Sequence, residues 1–522
     1  MMINYRWQYT KTHTFSEIDF IITRIRMAIN NFCMNIFTPF LLLSLIGCAG
    51  QQTQQPTEQV NQPNILIIMA DDMGYGDLSG YGGMAQTPNI DALADEGIKL
   101  TNCYAGAPNC SPSRVSLLTG RIPARVGMYS YRPPGHLMHM PDTEITLAEL
   151  LKTKAYQTAH FGKWHLGCLP QDSSLNQPQP DQQGFDYSLG TANNAVPSHL
   201  NPTNFVRNGL EVGEMKGYAC QIVADEVEDW FEQYYEEKVP FFMYVAFHEP
   251  HAKIASPPEL IANYPNQKPK DAAYFANIEN MDLATGRILE TLKNRGLDKN
   301  TLVFFTSDNG SYRMGSNGPL RGLKGEVYEG GMKVPGIFSY PNGFEGKRVV
   351  DSPIWFQDVL PTICKLVGIE LPKDRHYDGI SLLPLLQDKA ELKRAQPMLW
   401  FFYRSAPELA MRKGDYVLVA GVNDHIPRTH WLADIDMPFI KNLRPDFFEL
   451  YNVVQDVGQQ EDLSDKEPEK LMEMKQAFQQ LFEGVQDEGP IWKGLPAYDL
   501  KRANHHKPAE FKRNQQRFLE KQ

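Results

Sequence analysis

Ile65-Leu66-Ile67-Ile68-Met69-Ala70-Asp71-Asp72 decides the fold: an unbroken apolar run, rich in β-branched isoleucine, ends in a pair of aspartates. A short apolar run bounded by turn residues reads as a strand buried on both faces, as strands of parallel sheets are. Three further stretches repeat the pattern. Residues 156–161, 241–247 and 302–307 read as strands, and reactive clusters follow each at once: Gly162-Lys163-Trp164-His165, His248-Glu249-Pro250-His251 and Asp308-Asn309-Gly310. Open α/β sheets bind ligands outside the carboxyl ends of their strands, so four such clusters would converge on one site.

Helix-like stretches at 89–96, 146–153, 218–235 and 271–293 alternate with these strands. That alternation predicts an α/β fold, a mostly parallel central sheet covered by helices. Beyond about residue 395 the texture changes. Residues 398–403, 416–420 and 447–451 read as strands and 467–482 as a polar helix, which predicts a small α+β C-terminal domain. The expected layout is a catalytic domain over 63–394, a C-terminal subdomain over 395–490 and a polar tail over 491–522.

Upstream, the apolar stretch 36–47 follows Arg24 and Arg26 and is too short to span a bilayer, so 1–47 reads as an export signal. It ends in Leu45-Ile46-Gly47-Cys48, similar to a bacterial lipobox, in which the signal is cut before a cysteine that is then acylated. With Ala49 rather than Asp next, the pattern resembles outer-membrane sorting. The expectation is an exported bacterial lipoprotein, lipidated at Cys48 and held to the membrane by a polar tether over 48–62.

The 522 residues, 42% hydrophobic and 22% charged, can bury a large core. A formal net charge of −11 argues against sequence-independent nucleic-acid binding, which needs a basic surface. An anionic substrate must therefore be held by local cations. The seven cysteines have neither the even spacing of a disulfide scaffold nor a C-x-x-C metal pattern.

One cysteine stands in a context that changes its meaning. Cys110-Ser111-Pro112-Ser113-Arg114 and, three residues on, Leu118-Thr119-Gly120 place a proline in the first turn of a helix, with Cys110 at the helix N-terminus where the backbone favours anions. The segment resembles the type I sulfatase signature, C-x-P-S-R followed by L-T-G, at every fixed position. The resemblance extends from about Pro63 to Leu463, through Asp71-Asp72-Met73-Gly74-Tyr75-Gly76-Asp77, Thr87-Pro88-Asn89, Gly162-Lys163-Trp164-His165 and Pro319-Leu320-Arg321-Gly322-Leu323-Lys324. It implies the alkaline-phosphatase-like α/β sandwich and a sulfuric ester hydrolase.

It also implies roles. Cys110 would be oxidised by a sulfatase-maturating enzyme to formylglycine (3-oxoalanine), whose hydrated gem-diol supplies the nucleophile in covalent catalysis. Asp71, Asp72, Asp308 and Asn309, with residue 110, match the ligands of one calcium ion, an all-oxygen set suited to a hard cation. Arg114 and Lys163 match positions that steady the developing charge, and Lys324 matches the sulfate-binding lysine. His165 matches the histidine that takes the second gem-diol proton, and His248 the general acid facing the leaving oxygen, selected by a His-x-Pro pattern. His199, Arg207, His251 and Arg321 are candidate contacts to substrate, the first two within a loop-like region, 190–208, rich in polar side chains.

The implied substrate is a sulfated oligo- or polysaccharide; ulvan, carrageenan and animal glycosaminoglycans are all open, with an algal polymer, ulvan first, preferred. Two other readings stay open. One is a phosphodiesterase or phosphonate monoester hydrolase of the same superfamily; the other is a non-catalytic glycan-binding lipoprotein.

Overall fold

The computed structural model describes residues 62–495 apart from 171–173, 313, 404, 406, 423–431 and 435. The expected signal, Cys48, nearly all of the tether and most of the tail lie outside the described residues. Fifteen strands are described. The first eleven are β1 (Asn64–Asp71), β2 (Ile98–Tyr104), β3 (Gln157–Lys163), β4 (Tyr187–Thr191), β5 (Phe205–Arg207), β6 (Leu210–Gly213), β7 (Phe241–Pro250), β8 (Thr301–Ser307), β9 (Lys333–Ser339), β10 (Arg348–Val350) and β11 (Ile354–Trp355). They form one sheet in the order β10-β2-β9-β8-β1-β7-β3-β4-β5-β6, with β11 also paired to β2.

The four strands read from sequence are contiguous, β8-β1-β7-β3, and mutually parallel. Their side chains alternate between two cores, which is why the runs are apolar throughout. Ile65, Ile67 and Met69 join one cluster, while Leu66, Ile68 and Ala70 join the other. The second cluster is covered by helices Ala219–Gln233 and Pro269–Asn294. The first is covered by Cys110–Thr119, Leu147–Lys152 and Val359–Val367. Parallel pairing places the carboxyl ends of β1, β3, β7 and β8 on one edge.

The second sheet is antiparallel, β12 (Met398–Phe401), β13 (Leu409–Lys413), β14 (Tyr416–Gly421) and β15 (Phe447–Asn452) in that order. Helix Pro468–Glu488 packs on it through Phe478 and Phe482, which meet Phe448 and Phe401. The α/β architecture with a small C-terminal sheet is as expected. The region 190–208 is less loop-like than its composition suggests, because β4 runs to Thr191 and β5 occupies 205–207.

Candidate active site

Two strand ends lock first. Asp72 takes a left-handed backbone, φ 66°, uncommon for any residue but glycine. Its N–H donates to Asp308 Oδ1 at 3.1 Å, and Asp308 N–H donates to the Ala70 carbonyl at 3.1 Å. Cys110 opens helix Cys110–Thr119 behind its N-cap Asn109, whose side chain accepts the Cys110 N–H at 3.0 Å.

Two buried cations and the partly buried Lys324 meet three buried carboxylates around Cys110. Lys163, from the end of β3, donates to Asp71 Oδ2 at 2.7 Å. Arg114, one helical turn beyond Cys110, donates to Asp308 Oδ2 at 3.1 and 2.7 Å and to the Lys163 carbonyl at 3.0 Å. Lys324 Nζ lies 2.8 Å from Asp72 Oδ2 and 3.2 Å from Cys110 Sγ. Asn309 Nδ2 donates to Asp72 Oδ1 at 2.9 Å, which turns its amide oxygen the other way. Burial would raise the pKa of Asp71, but Lys163, His251, Arg114 and Lys324 together hold it well below the ordinary value. Asp308 is pushed up to about 7, by burial and then by Asp71, against Arg114. Burial pushes the Cys110 thiol to about 11 despite Lys163 and Lys324.

The residues present fit a divalent cation. Ligand atoms of Asp71, Cys110 and Asp308 all lie within 4.8 Å of one another. Asn309 Oδ1 is buried with no hydrogen-bond partner, and so is Asp71 Oδ1, which has only a 3.5 Å ion-pair approach from Arg114 Nη2. Orphaned buried oxygens are costly, and these are hard acceptors of the kind calcium prefers.

The histidines divide by tautomer and exposure. His165 Nε2 faces the Arg132 carbonyl at 2.8 Å and so carries the proton, leaving a buried Nδ1 with no partner. Burial, Lys163 and Arg114 push its pKa well down, so Nδ1 is a bare acceptor. His248 does not hold the place expected for a leaving-group acid. It is 0% exposed. Its Nε2 donates at 2.8 Å to Thr191 Oγ1, which itself donates to the Asn193 carbonyl. Burial, and then His199, pushes its pKa well down. His251, by contrast, is 21% exposed and places Nε2 3.4 Å from Asp72 Oδ2, with Nδ1 2.7 Å from the Ala252 carbonyl. Both nitrogens face acceptors, an arrangement that only the imidazolium satisfies in full. Burial lowers its pKa, with Asp72 pulling it back up.

Other sequence candidates are engaged elsewhere. Arg207 forks onto Glu226 of helix Ala219–Gln233 at 2.5 and 2.6 Å, which pins β5 to that helix. The His199 ring is 1% exposed, 3.8 Å from Glu249, and its backbone N–H donates to the Lys253 carbonyl, so it supports the His251 turn from behind. Arg321 stacks on Tyr328 at 3.8 Å and donates to Tyr451 Oη at 2.8 Å and the Gln459 carbonyl at 3.1 Å. It joins the main sheet's loops to the C-terminal sheet. Arg321→Ala is therefore expected to lower unfolding free energy by about 1–3 kcal/mol with KM unchanged; chemical denaturation alongside kinetics checks this.

Asn194, which the sequence offers among the sugar-gripping side chains of 190–208, accepts from Lys163 Nζ at 3.3 Å through Oδ1, so it meets the cation cluster instead. An asparagine in a polar loop carries no local signal of such a contact.

Comparison with known proteins agrees with this geometry. The sulfatase family profile matches residues 63–369, and the profile of the N-sulphoglucosamine sulphohydrolase C-terminal region matches 324–477. N-acetylgalactosamine-6-sulfatase of Rattus norvegicus is 33% identical over 409 residues, 72% of this chain and 73% of the relative. Steryl-sulfatase of the same species is 34% identical over 412 residues, 62% of this chain and 70% of the relative. The solved structure of Ps i-CgsB in complex with k-i-k-neocarrahexaose superposes with a TM-score of 0.72 at 26% identity, covering 83% of this chain and 95% of that one. The chain therefore belongs to the sulfatase family and is a sulfate ester hydrolase.

Proposed function

We propose that the protein removes sulfate from a sulfated carbohydrate, using formylglycine made from Cys110 and one calcium ion held by Asp71, Asp72, Asp308, Asn309 and residue 110. The observation that carries this reading is the meeting of Cys110 with Lys324 at 3.2 Å and with Asp71 and Asp308 ligand atoms within 4.8 Å. When bound, the cation polarises a sulfate oxygen, and the hydrated aldehyde supplies the attacking hydroxyl.

The chain's own residues do the rest. Lys324 and Lys163 bind sulfate oxygens and offset the developing charge. Arg114 keeps Asp308 and the Lys163 backbone in register with the nucleophile helix. His165 Nδ1, bare and buried, takes a proton from residue 110. His251, partly exposed beside Asp72, gives a proton to the departing sugar oxygen.

A carbohydrate substrate is supported by the k-i-k-neocarrahexaose complex of Ps i-CgsB; an algal polymer, ulvan first, is the preferred candidate on the sequence resemblance alone. Desulfation of a panel of defined sulfated oligosaccharides, read by mass spectrometry, tests it; turnover of phosphodiesters but of no sulfate ester overturns it. Chelation is expected to abolish turnover, and calcium to restore it and raise the melting temperature. Restoration by zinc alone would favour the phosphodiesterase reading.

A further inference from the structure

Between Asp308–Asn309 and Lys324 runs the 311–318 loop, and a single carboxylate outside the site ties it down. Asp77 Oδ1 accepts from Ser316 N–H at 2.7 Å, while Oδ2 accepts from Gly74 N–H at 2.7 Å and from the Tyr274 hydroxyl at 2.8 Å. The donors come from three elements: the loop, the turn after β1, and helix Pro269–Asn294. From there the tie continues inward. Ser311 N–H donates to Asn317 Oδ1 at 2.9 Å, Asn317 Nδ2 to the Gly322 carbonyl at 3.1 Å, and Lys324 N–H to the Ser311 carbonyl at 3.0 Å. The packing leaves no slack. A Cβ at Gly315 would fall 2.2 Å from Tyr274 Oη and 2.5 Å from Asp77 Oδ2, and one at Gly74 would fall 2.3 Å from the Ser316 carbonyl. Asp77 is 1% exposed. Among the described residues it pairs with no cation.

We infer that Asp77 is a positioning residue: through the 311–318 loop its carboxylate holds Lys324 at the sulfate pocket, and turnover requires it ionised. The inference rests on the sulfatase reading in which Lys324 binds sulfate. With three donors on its two oxygens, Asp77 holds the loop by charge-assisted hydrogen bonds; a proton removes the charge, weakens them, and loosens the loop's anchor. Around it, among the described residues, the titratable and charged groups are Tyr274 from the helix and, beyond Tyr274, Asp72 from the metal turn. Among the described residues, the loop presents its Ser316 N–H.

Burial raises the pKa of Asp77 from 3.8 to about 6, against the hydrogen bonds from Ser316, Tyr274 and Gly74. Activity should accordingly fall as pH drops through about 6. Stability runs the other way. A folded-state pKa above the ordinary 3.8 gives a stabilising contribution that is full below that value and lost as pH rises through about 6. A residue that served folding alone would not separate the two.

The test uses the full-length, metal-loaded enzyme. Tyr274→Phe removes one donor that lowers the Asp77 pKa, so the acid limb of kcat/KM should move up by about half a pH unit, with KM near pH 8 little changed. Asp77→Asn puts an NH2 among three donors; it should raise KM for the sulfate ester roughly tenfold and remove this limb. A lower melting temperature in Tyr274→Phe with the limb unmoved overturns the inference and leaves the sulfatase reading intact. An unchanged KM in Lys324→Ala overturns the role of Lys324 on which the inference rests.

Discussion

Replacing Cys110 by alanine is expected to lower turnover by on the order of 10⁴-fold or more, because it removes the proposed precursor of the nucleophile. The fold should persist. Cys110 contributes its backbone N–H to the Asn109 cap, which alanine keeps, and its sulfur has only a 3.2 Å contact from Lys324 Nζ. Substrate binding should also persist, since Lys163, Arg114 and Lys324 remain. The separation is the informative part: equilibrium binding of a sulfated oligosaccharide to Cys110→Ala should resemble that of the native enzyme while kcat collapses. Peptide mass spectrometry of active native protein should show loss of the thiol and gain of an aldehyde at residue 110. Full activity in Cys110→Ala would remove the proposed chemistry altogether.

Strands buried on both faces announce themselves, and so β1, β7 and β8 could be read from composition alone. β2 and β9, which extend the same sheet, could not. In β2, Lys99, Thr101 and Asn102 interrupt the apolar residues, and its pairing with β9 shifts register between Leu100 and Cys103. In β9, Pro335 and Gly336 sit mid-strand, where both are ordinarily unfavourable. Their places are explained only by neighbours: the Pro335 carbonyl accepts from Thr306 Oγ1, and a Cβ at Gly336 would meet Cys103 at 2.6 Å.

The site divided along the same line. The meeting of Cys110 with Asp71 and Asp308 was legible because they stand at strand and helix ends in fixed motifs. Arg207 and Arg321 were misjudged because an arginine's partner is a long-range fact. Glu226 lies 19 residues from Arg207, and Tyr451 130 residues from Arg321. In sequence both look like free cations beside a pocket; in the fold both guanidinium groups are spent on holding elements together.

The histidine pair in His248-Glu249-Pro250-His251 illustrates the limit most sharply, and it yields the second large effect. A sugar alkoxide leaves poorly without a proton, whereas a nitrophenolate leaves readily. Loss of a general acid typically costs about 10²- to 10⁴-fold on the poor leaving group. His251→Ala is therefore expected to lose activity on that scale against a sugar sulfate and far less against nitrophenyl sulfate. His248→Ala should behave differently, because its ring is sealed behind Thr191 and its Nε2 proton is committed to that hydroxyl. Its loss should lower stability by about 1–3 kcal/mol and affect both substrates alike. Steady-state kinetics of both variants on both substrates decides between them. A leaving-group-dependent deficit in His248→Ala, with none in His251→Ala, would return the acid to residue 248. That outcome would require the Thr191 contact to break when substrate binds, because a ring donating to Thr191 in the closed pocket has no proton to give the leaving oxygen.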